Sequence, residues 1–342
     1  MELIRSGAPE PALVPQTCGV AELLSGNLLE CTTLDLEASL LNTNVTSTTS
    51  EQLGLLVQLL GQGNVSSPRL RSLVLSGLPI ADAGAQLLAP ALASHQGLLA
   101  VRMDSCDVGE VGASALASAI SAGAPMRSLS LSWNAVGVAG AAAIADAIRG
   151  NRSHLSRLYL SHCELGADGA SALAEAIGEG APLTELVLDQ NRVRDEGALA
   201  FAQALRVGPP LTSLDLGYNH VTHRGAAALA ASLEHSGTRL RSLWLASNEV
   251  ADEGARAFGA MLLSNTELRE LGLWNNGIGC GGADALERGL RRNTVLSQLL
   301  LEHNDLATAG EIVSKIDAAL TANAEAHKLT GAELGSLERD EL

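Results

Sequence analysis

The run Gly277-Ile278-Gly279-Cys280-Gly281-Gly282 spells GxGxxG, and Glu302 follows twenty residues after its last glycine. Glycines at this spacing let a backbone close on a pyrophosphate at a helix start, while the acid takes a ribose hydroxyl. Both ends of the signature, however, belong to columns that recur through the chain at a fixed interval, so the match is a product of periodicity. No nucleotide or other cofactor is expected. No Walker loop, HExxH or GxSxG occurs, and no catalytic residue is assigned. The histidines are scattered. His162 and His303 share one column several units apart, too far to chelate one ion, so no metal is expected. Five cysteines, Cys18, Cys31, Cys106, Cys163 and Cys280, stand at wide spacings without a CxxC pair. They give neither a zinc signature nor a disulfide framework and fit a reducing compartment. Cys280, in a glycine-rich turn, is the thiol expected at the surface. Arg192 and Arg194 remain as loop cations beside Asn191.

The interval is set by one pattern, LxxLxLxx(N/C)xφ with φ aliphatic, which begins at residues 70, 98, 126, 155, 183, 211, 240, 268 and 296. In the clearest copy, Leu211-Thr-Ser-Leu214-Asp-Leu216-Gly-Tyr-Asn219-His-Val221, the alternation at Leu214 and Leu216 is the two-residue period of a strand. Fourteen residues after each start stands a glycine, from Gly84 to Gly310, and eight of these nine are followed by alanine. An Ala/Leu-rich run at helical spacing comes next, as in GAAALAASLEHS. Each unit is therefore a strand and a helix whose small residues permit close approach.

This pattern resembles the ribonuclease-inhibitor-like leucine-rich repeats, with similar repeats in Ran GTPase-activating protein and in the NOD-like receptors of innate immunity. The resemblance spans about residues 70 to 320. It implies an α/β solenoid, a horseshoe with a parallel concave β-sheet and convex α-helices. It also implies that the ninth motif residue satisfies backbone groups inside the turn: Cys106, Asn134, Cys163, Asn191, Asn219, Asn248, Asn276 and Asn304. Leu78 departs from that column, and Pro90 falls in the same unit's helix, which marks the first clear unit as less regular.

The expected organisation is an N-terminal extension, partly disordered, over 1–27 and a diverged first repeat over 28–69. The diverged repeat comprises an edge strand Cys31-Thr-Thr-Leu34-Asp-Leu36, the polar loop NTNVTSTTS and a helix LGLLVQLL behind the capping-box spacing Thr49-Ser-Glu-Gln52. Nine units fill 70–308. Ile312, Ile316 and Leu320 lie four apart and suit a capping helix over 309–327, before a flexible acidic tail at 328–342.

Because the leucines of LxL point inward, the third, fifth, seventh and eighth motif positions face out from the concave sheet. The candidate protein-binding residues there are Arg102, Asp104, Trp133, Tyr159, His162, Asp189, Asp215, Tyr218, Trp244, Trp274, Glu302 and His303. Arg157, Glu185, Gln190 and Glu270 share these positions. All three tryptophans and both tyrosines of the chain fall in the set, and the two phenylalanines, Phe201 and Phe258, lie in helical halves. Aromatic residues stabilise sheets by cross-strand pairing, roughly 0.2 to 1 kcal/mol each. They are also the types enriched at binding hot spots.

The expected function is therefore a non-enzymatic scaffold, adaptor or assembly subunit that binds protein through this aromatic and acidic face. The alternative is a small-GTPase regulator resembling Ran GTPase-activating protein, with Arg192 and Arg194 on the rim. The interleaved acids suit a partner patch carrying Lys or Arg, while a formal net charge of −16 disfavours nucleic acid. No window reaches the apolar length of a membrane span. No secretory signal precedes Pro9, so the expected location is cytoplasmic, with a cytoskeletal or ciliary assembly as the alternative. Three glycosylation sequons, at Asn44, Asn64 and Asn151, and the terminal Arg-Asp-Glu-Leu would matter only in a lumenal chain.

Overall fold

The structure is a computed structural model that describes residues 16–25, 28–36, 50–61, 69–149, 153–234 and 237–340. The three sequons lie outside these residues, as do most of the N-terminal extension and the NTNVTSTTS loop.

The strands are β1 (Thr17–Cys18), β2 (Thr33–Asp35), β3 (Ser72–Val74), β4 (Ala100–Arg102), β5 (Ser128–Ser130), β6 (Arg157–Tyr159), β7 (Glu185–Val187), β8 (Ser213–Asp215), β9 (Ser242–Trp244), β10 (Glu270–Gly272) and β11 (Gln298–Leu300). They form a single parallel sheet in strict sequence order. The helices are α1 (Val20–Ser25), α2 (Ser50–Gly61), α3 (Ala81–Ser94), α4 (Glu110–Ser121), α5 (Gly137–Arg149), α6 (Gly166–Gly178), α7 (Arg194–Leu205), α8 (His223–Leu233), α9 (Ala251–Met261), α10 (Cys280–Leu290) and α11 (Gly310–Asp340). Register is conserved from pair to pair, with Leu186 opposite Leu214 and Leu214 opposite Leu243. Paired strands stand about 4.8 Å apart, whereas packed helices need about 8 to 10 Å, so the array bends with its sheet inside.

Burial follows the motif. Leu211, Leu214, Leu216, Val221 and Leu229 are inaccessible to solvent, as are Phe201 and Phe258 of the helical layer. A fully buried leucine is worth about 2 kcal/mol over an exposed one. The recurrent glycine has a packing reason. A Cβ on Gly225 would stand 2.7 Å from Asp195 Oδ1, 2.8 Å from Val221 Cγ1 and 2.9 Å from Ala198 Cβ. Gly310 departs from this rule, with nothing within 4 Å.

The ninth-position side chains tie each unit to the one before. Asn219 Oδ1 accepts the N–H groups of Asn191 (2.8 Å) and Val193 (3.1 Å), and its Nδ2 donates to the carbonyls of Leu188 (2.8 Å) and Gly217 (2.9 Å). Asn134, Asn191, Asn248, Asn276 and Asn304 repeat this bridging. Cys106 and Cys163 make half of it: each thiol donates 3.1 Å to a carbonyl of the preceding unit, of Leu75 and Leu131. Burial pushes both thiols up to about 12. A second ladder runs along the helix ends, where Asn265, Asn293 and Asn323 each donate to a carbonyl of the preceding unit.

One expectation needs correction and two gain detail. Within the partly disordered extension expected over 1–27, residues 16–25 are ordered: Gln16 O accepts the N–H groups of Thr32 (2.9 Å) and Thr33 (3.2 Å), which makes β1 an edge strand, followed by α1. That register brings Cys18 and Cys31 together as a disulfide, with a Cα–Cα distance of 5.7 Å. The cysteines therefore no longer argue for a reducing compartment. The spacing does not reveal this pairing because it depends on a strand too short to show periodicity. Finally, α11 runs to Asp340, past the 309–327 expected for the capping helix. Leu, Ala, Glu and Lys there favour helix, and Gly331 and Gly335 each cost only about 1 kcal/mol against it. Within α11, Ile316 and Leu320 are buried and Ile312 is half-buried against the core.

Replacing Asn219 by Leu should lower stability by about 3 kcal/mol, because the buried N–H groups of Asn191 and Val193 lose their acceptor together. Asn304→Leu, at a half-exposed site, should cost less. Urea unfolding compares the two, and an unchanged midpoint for Asn219→Leu would refute the ladder. Alkylation followed by peptide mapping without reduction should link Cys18 to Cys31. Cys106 and Cys163 should react only after denaturation.

Candidate functional site

The eighth motif residue has left-handed backbone in every regular unit. Ser105, Trp133, His162, Gln190, Tyr218, Ser247, Asn275 and His303 have φ between 52° and 61°. This conformation costs a non-glycine residue about 1 to 2 kcal/mol. It is held because the N–H donates to the seventh-position carbonyl of the next unit, as in Trp133 to Ser161 (2.8 Å) and Tyr218 to Ala246 (2.7 Å). The side chain is thereby thrown outward. Trp133 is 56% exposed and Tyr218 48%.

The aromatic residues fall into two groups. Trp133 stacks on His162, with ring centroids 4.1 Å apart and planes 16° from parallel. Further along, Trp274 lies 6.4 Å from Tyr218 and meets His303 edge-on at 4.9 Å. Trp244, in the unit between those of Tyr218 and Trp274, lies across Gly272, where any Cβ would collide with its indole. Tyr159 is half-buried, its hydroxyl bonded to Glu185. Burial first, and then Glu185, raise its pKa.

The acids differ from the freely exposed set expected from the pattern. Asp104 accepts the Ser130 hydroxyl and the Ser132 N–H (2.9 Å), and lies 3.6 Å from Arg102. Asp189 accepts the Ser161 hydroxyl, and Glu270 accepts the Ser242 hydroxyl at 2.8 Å. Asp215 is the most enclosed: it accepts the Gly217 N–H at 2.8 Å, and burial, aided by Asp189, raises its pKa to about 6. Strands this close let a carboxylate reach its neighbour's serine, which column counting does not reveal. Glu302 and His303 are fully outward, as is Arg102.

Sequence reasoning missed a set of cross-unit caps. Asp82, Asp195 and Asp252 each stand at the first turn of one helix and bond backbone N–H groups at the start of the next. Asp252 Oδ1 accepts from Gly279 (2.7 Å) and Gly282 (2.9 Å). The two glycine amides of the GxGxxG run thus already face a carboxylate, which fills the place a phosphate would take. An aspartate two residues before the recurrent glycine, in the preceding unit, was the available signal.

Arg192 and Arg194 are exposed on the rim, both with left-handed backbone. Nearby, a cleft of about 570 Å³ is lined by Asp195, Thr222, His223, Arg224 and Glu249. His220 Nδ1 stands 3.6 Å from Glu249. Cys280 is half-buried, 3.1 Å from the Thr308 hydroxyl. Among the described residues no group of three or more His, Cys, Asp and Glu could hold a metal ion. No described helix is long and apolar enough to cross a membrane.

A parallel sheet of repeated short strands, backed by helices and laced by ninth-position amides, defines a leucine-rich repeat solenoid. The family described as Leucine Rich repeat matches residues 124–145, 152–174, 181–202, 209–230 and 238–259, five consecutive central units. Among curated proteins, none matches. Similar solved structures include leiomodin-1 actin-binding site 2, 20% identical over 50% of this chain and 96% of that one, with a TM-score of 0.44. An internalin from Listeria monocytogenes is 16% identical over 81% of this chain and 75% of that one, also with a TM-score of 0.44.

Asp215 makes stability depend on pH. Its folded pKa lies above the ordinary carboxylate value, so the stabilisation it contributes is full below about pH 4 and is lost as pH rises through about 6. Asp215→Asn should therefore raise stability at pH 7.5 by about 1 kcal/mol, discounted for partial exposure, and leave it unchanged at pH 4. Thermal melts at the two pH values check the sign.

Proposed function

We propose that this chain is a non-enzymatic protein-binding scaffold, an adaptor or fixed subunit of an assembly, whose partner lies against the concave sheet. The observation that carries the reading is the confinement of all three tryptophans and both tyrosines to that face. Backbone geometry turns two of them outward: Trp133 and Tyr218 pay for a left-handed conformation and still present large apolar surface to water. Trp133, Tyr159, Tyr218, Trp244 and Trp274 are the expected anchors, because large rigid side chains dominate interface energetics.

The partner is a protein with a basic patch. From Glu185 onward the face carries Glu185, Asp189, Asp215, Glu270 and Glu302 with no Lys or Arg in the same columns, while Arg102 and Arg157 belong to earlier units. Half-buried carboxylates favour a cation that replaces lost water. The units themselves are read as ribonuclease-inhibitor-like, from their period of 28 or 29 residues and their full helices.

The test is affinity purification with intact chain and with the double variant Trp244→Ala, Tyr218→Ala. Both side chains lie outside the leucine core, so the melt should change little. Partner binding, measured with the purified partner, should weaken about tenfold or more, the size expected from losing two anchors. Equal binding by both chains would sink the reading.

A further inference from the structure

The tenth motif column, beside the aromatic face, reads Asp107, Ala135 and Glu164 in three successive units. Asp107 and Glu164 have left-handed backbone, φ 56° and 57°, and both are exposed. Between them Ala135 contributes only a methyl group. The result is a cleft of about 390 Å³ whose lining includes Asp107, Trp133, Asn134, Ala135, His162 and Glu164.

Its floor and walls have complementary chemistry. The near-parallel stack of Trp133 on His162 covers one face of the indole and leaves the other accessible, consistent with its 56% exposure. An indole face attracts a cation through its quadrupole, and a planar guanidinium can lie flat on it. The carboxylates stand at either side, two units apart, or roughly 10 Å between backbones at the spacing of parallel strands. That width admits one side chain between them. Neither Asp107 nor Glu164 makes an ion pair or side-chain hydrogen bond with another described residue: Arg102 is engaged by Asp104, and Arg192, which follows Glu164 in the same column, is exposed and forms no ion pair with it. The cleft thus offers an aromatic platform and two acids that no described cation pairs.

We propose that this cleft is a receptor for a single arginine side chain of a protein partner, its guanidinium stacked on Trp133 and its N–H groups shared between Asp107 and Glu164. The site rests on the reading of the face as a docking surface and names the chemistry of one contact. A guanidinium fits better than an ammonium because its flat, weakly hydrated fork both stacks and bonds carboxylates in two directions.

The probes are three capped hexapeptides, identical except for a central arginine, citrulline or lysine. Citrulline keeps the shape of arginine and removes its charge. Binding is followed by the indole N–H resonances of the isotope-labelled full chain, with that of Trp133 identified through Trp133→Phe. The arginine peptide should move the Trp133 signal and leave those of Trp244 and Trp274 in place, with the citrulline peptide at least about tenfold weaker and lysine between them. Asp107→Asn with Glu164→Gln should weaken the arginine peptide about tenfold without moving the melt, since both side chains are exposed. Equal binding of citrulline and arginine, an unmoved Trp133 signal, or full affinity in the double variant each overturns the site. If partner binding survives Trp244→Ala, Tyr218→Ala while the arginine peptide still finds Trp133, the broader docking reading falls and the cleft stands. If the peptides fail but the partner is lost with those alanines, only the cleft is wrong.

Discussion

Every unit of this solenoid depends on a backbone that would be unsatisfied without its neighbour. The turn after each strand buries N–H and carbonyl groups away from water, and an unmade hydrogen bond there costs about 1 to 3 kcal/mol. A single asparagine amide, with two lone pairs and two hydrogens, answers up to four of those groups across two units. Asn134, Asn191, Asn219 and Asn248 each do so. Where cysteine stands instead, the donation to a carbonyl is kept and the oxygen that would accept from the preceding turn is missing; the N–H groups of Cys106 and Cys163 are themselves served by the next asparagine, as in the other units.

The same ladder shapes the outer surface. Fixing the ninth residue inward forces the eighth into left-handed backbone and throws its side chain out, whatever its type. In Ser105 and Ser247 that projection means little. In Trp133, His162 and Tyr218 it presents rings to solvent, at a conformational cost that the core has already met. The candidate face is thus a by-product of the structural column beside it, and its residue types are free to vary without disturbing the core.

The helical side obeys a steric constraint of the same kind. Gly254 lies where a Cβ would be 2.6 Å from Val250 Cγ1 and 3.1 Å from Ala226 Cβ, so consecutive helices meet through glycine and alanine. Aspartates such as Asp195 then reach from one helix into the start of the next, bonding the N–H groups of Thr222 (2.8 Å) and Gly225 (3.0 Å). A dinucleotide signature and an aspartate-capped helix draw on the same amides. Only the neighbouring unit decides between them.

The one-dimensional pattern determined most of the fold. Leucine spacing, the ninth-position column and the recurrent glycine were sufficient to place the strands, helices and concave face from Leu70 onward, because a solenoid's contacts are set by the period. Four things needed tertiary structure. The pairing of Cys18 with Cys31 follows from a two-residue strand that carries no periodicity. The capping role of Asp252 depends on which helix lies next to it. The raised pKa of Asp215 depends on burial among neighbouring strands, with Asp189 near enough to add to it. The open side of the Trp133 stack depends on His162 lying against the other. Each is a contact between units, where orientation and distance count, and no column of one unit records either.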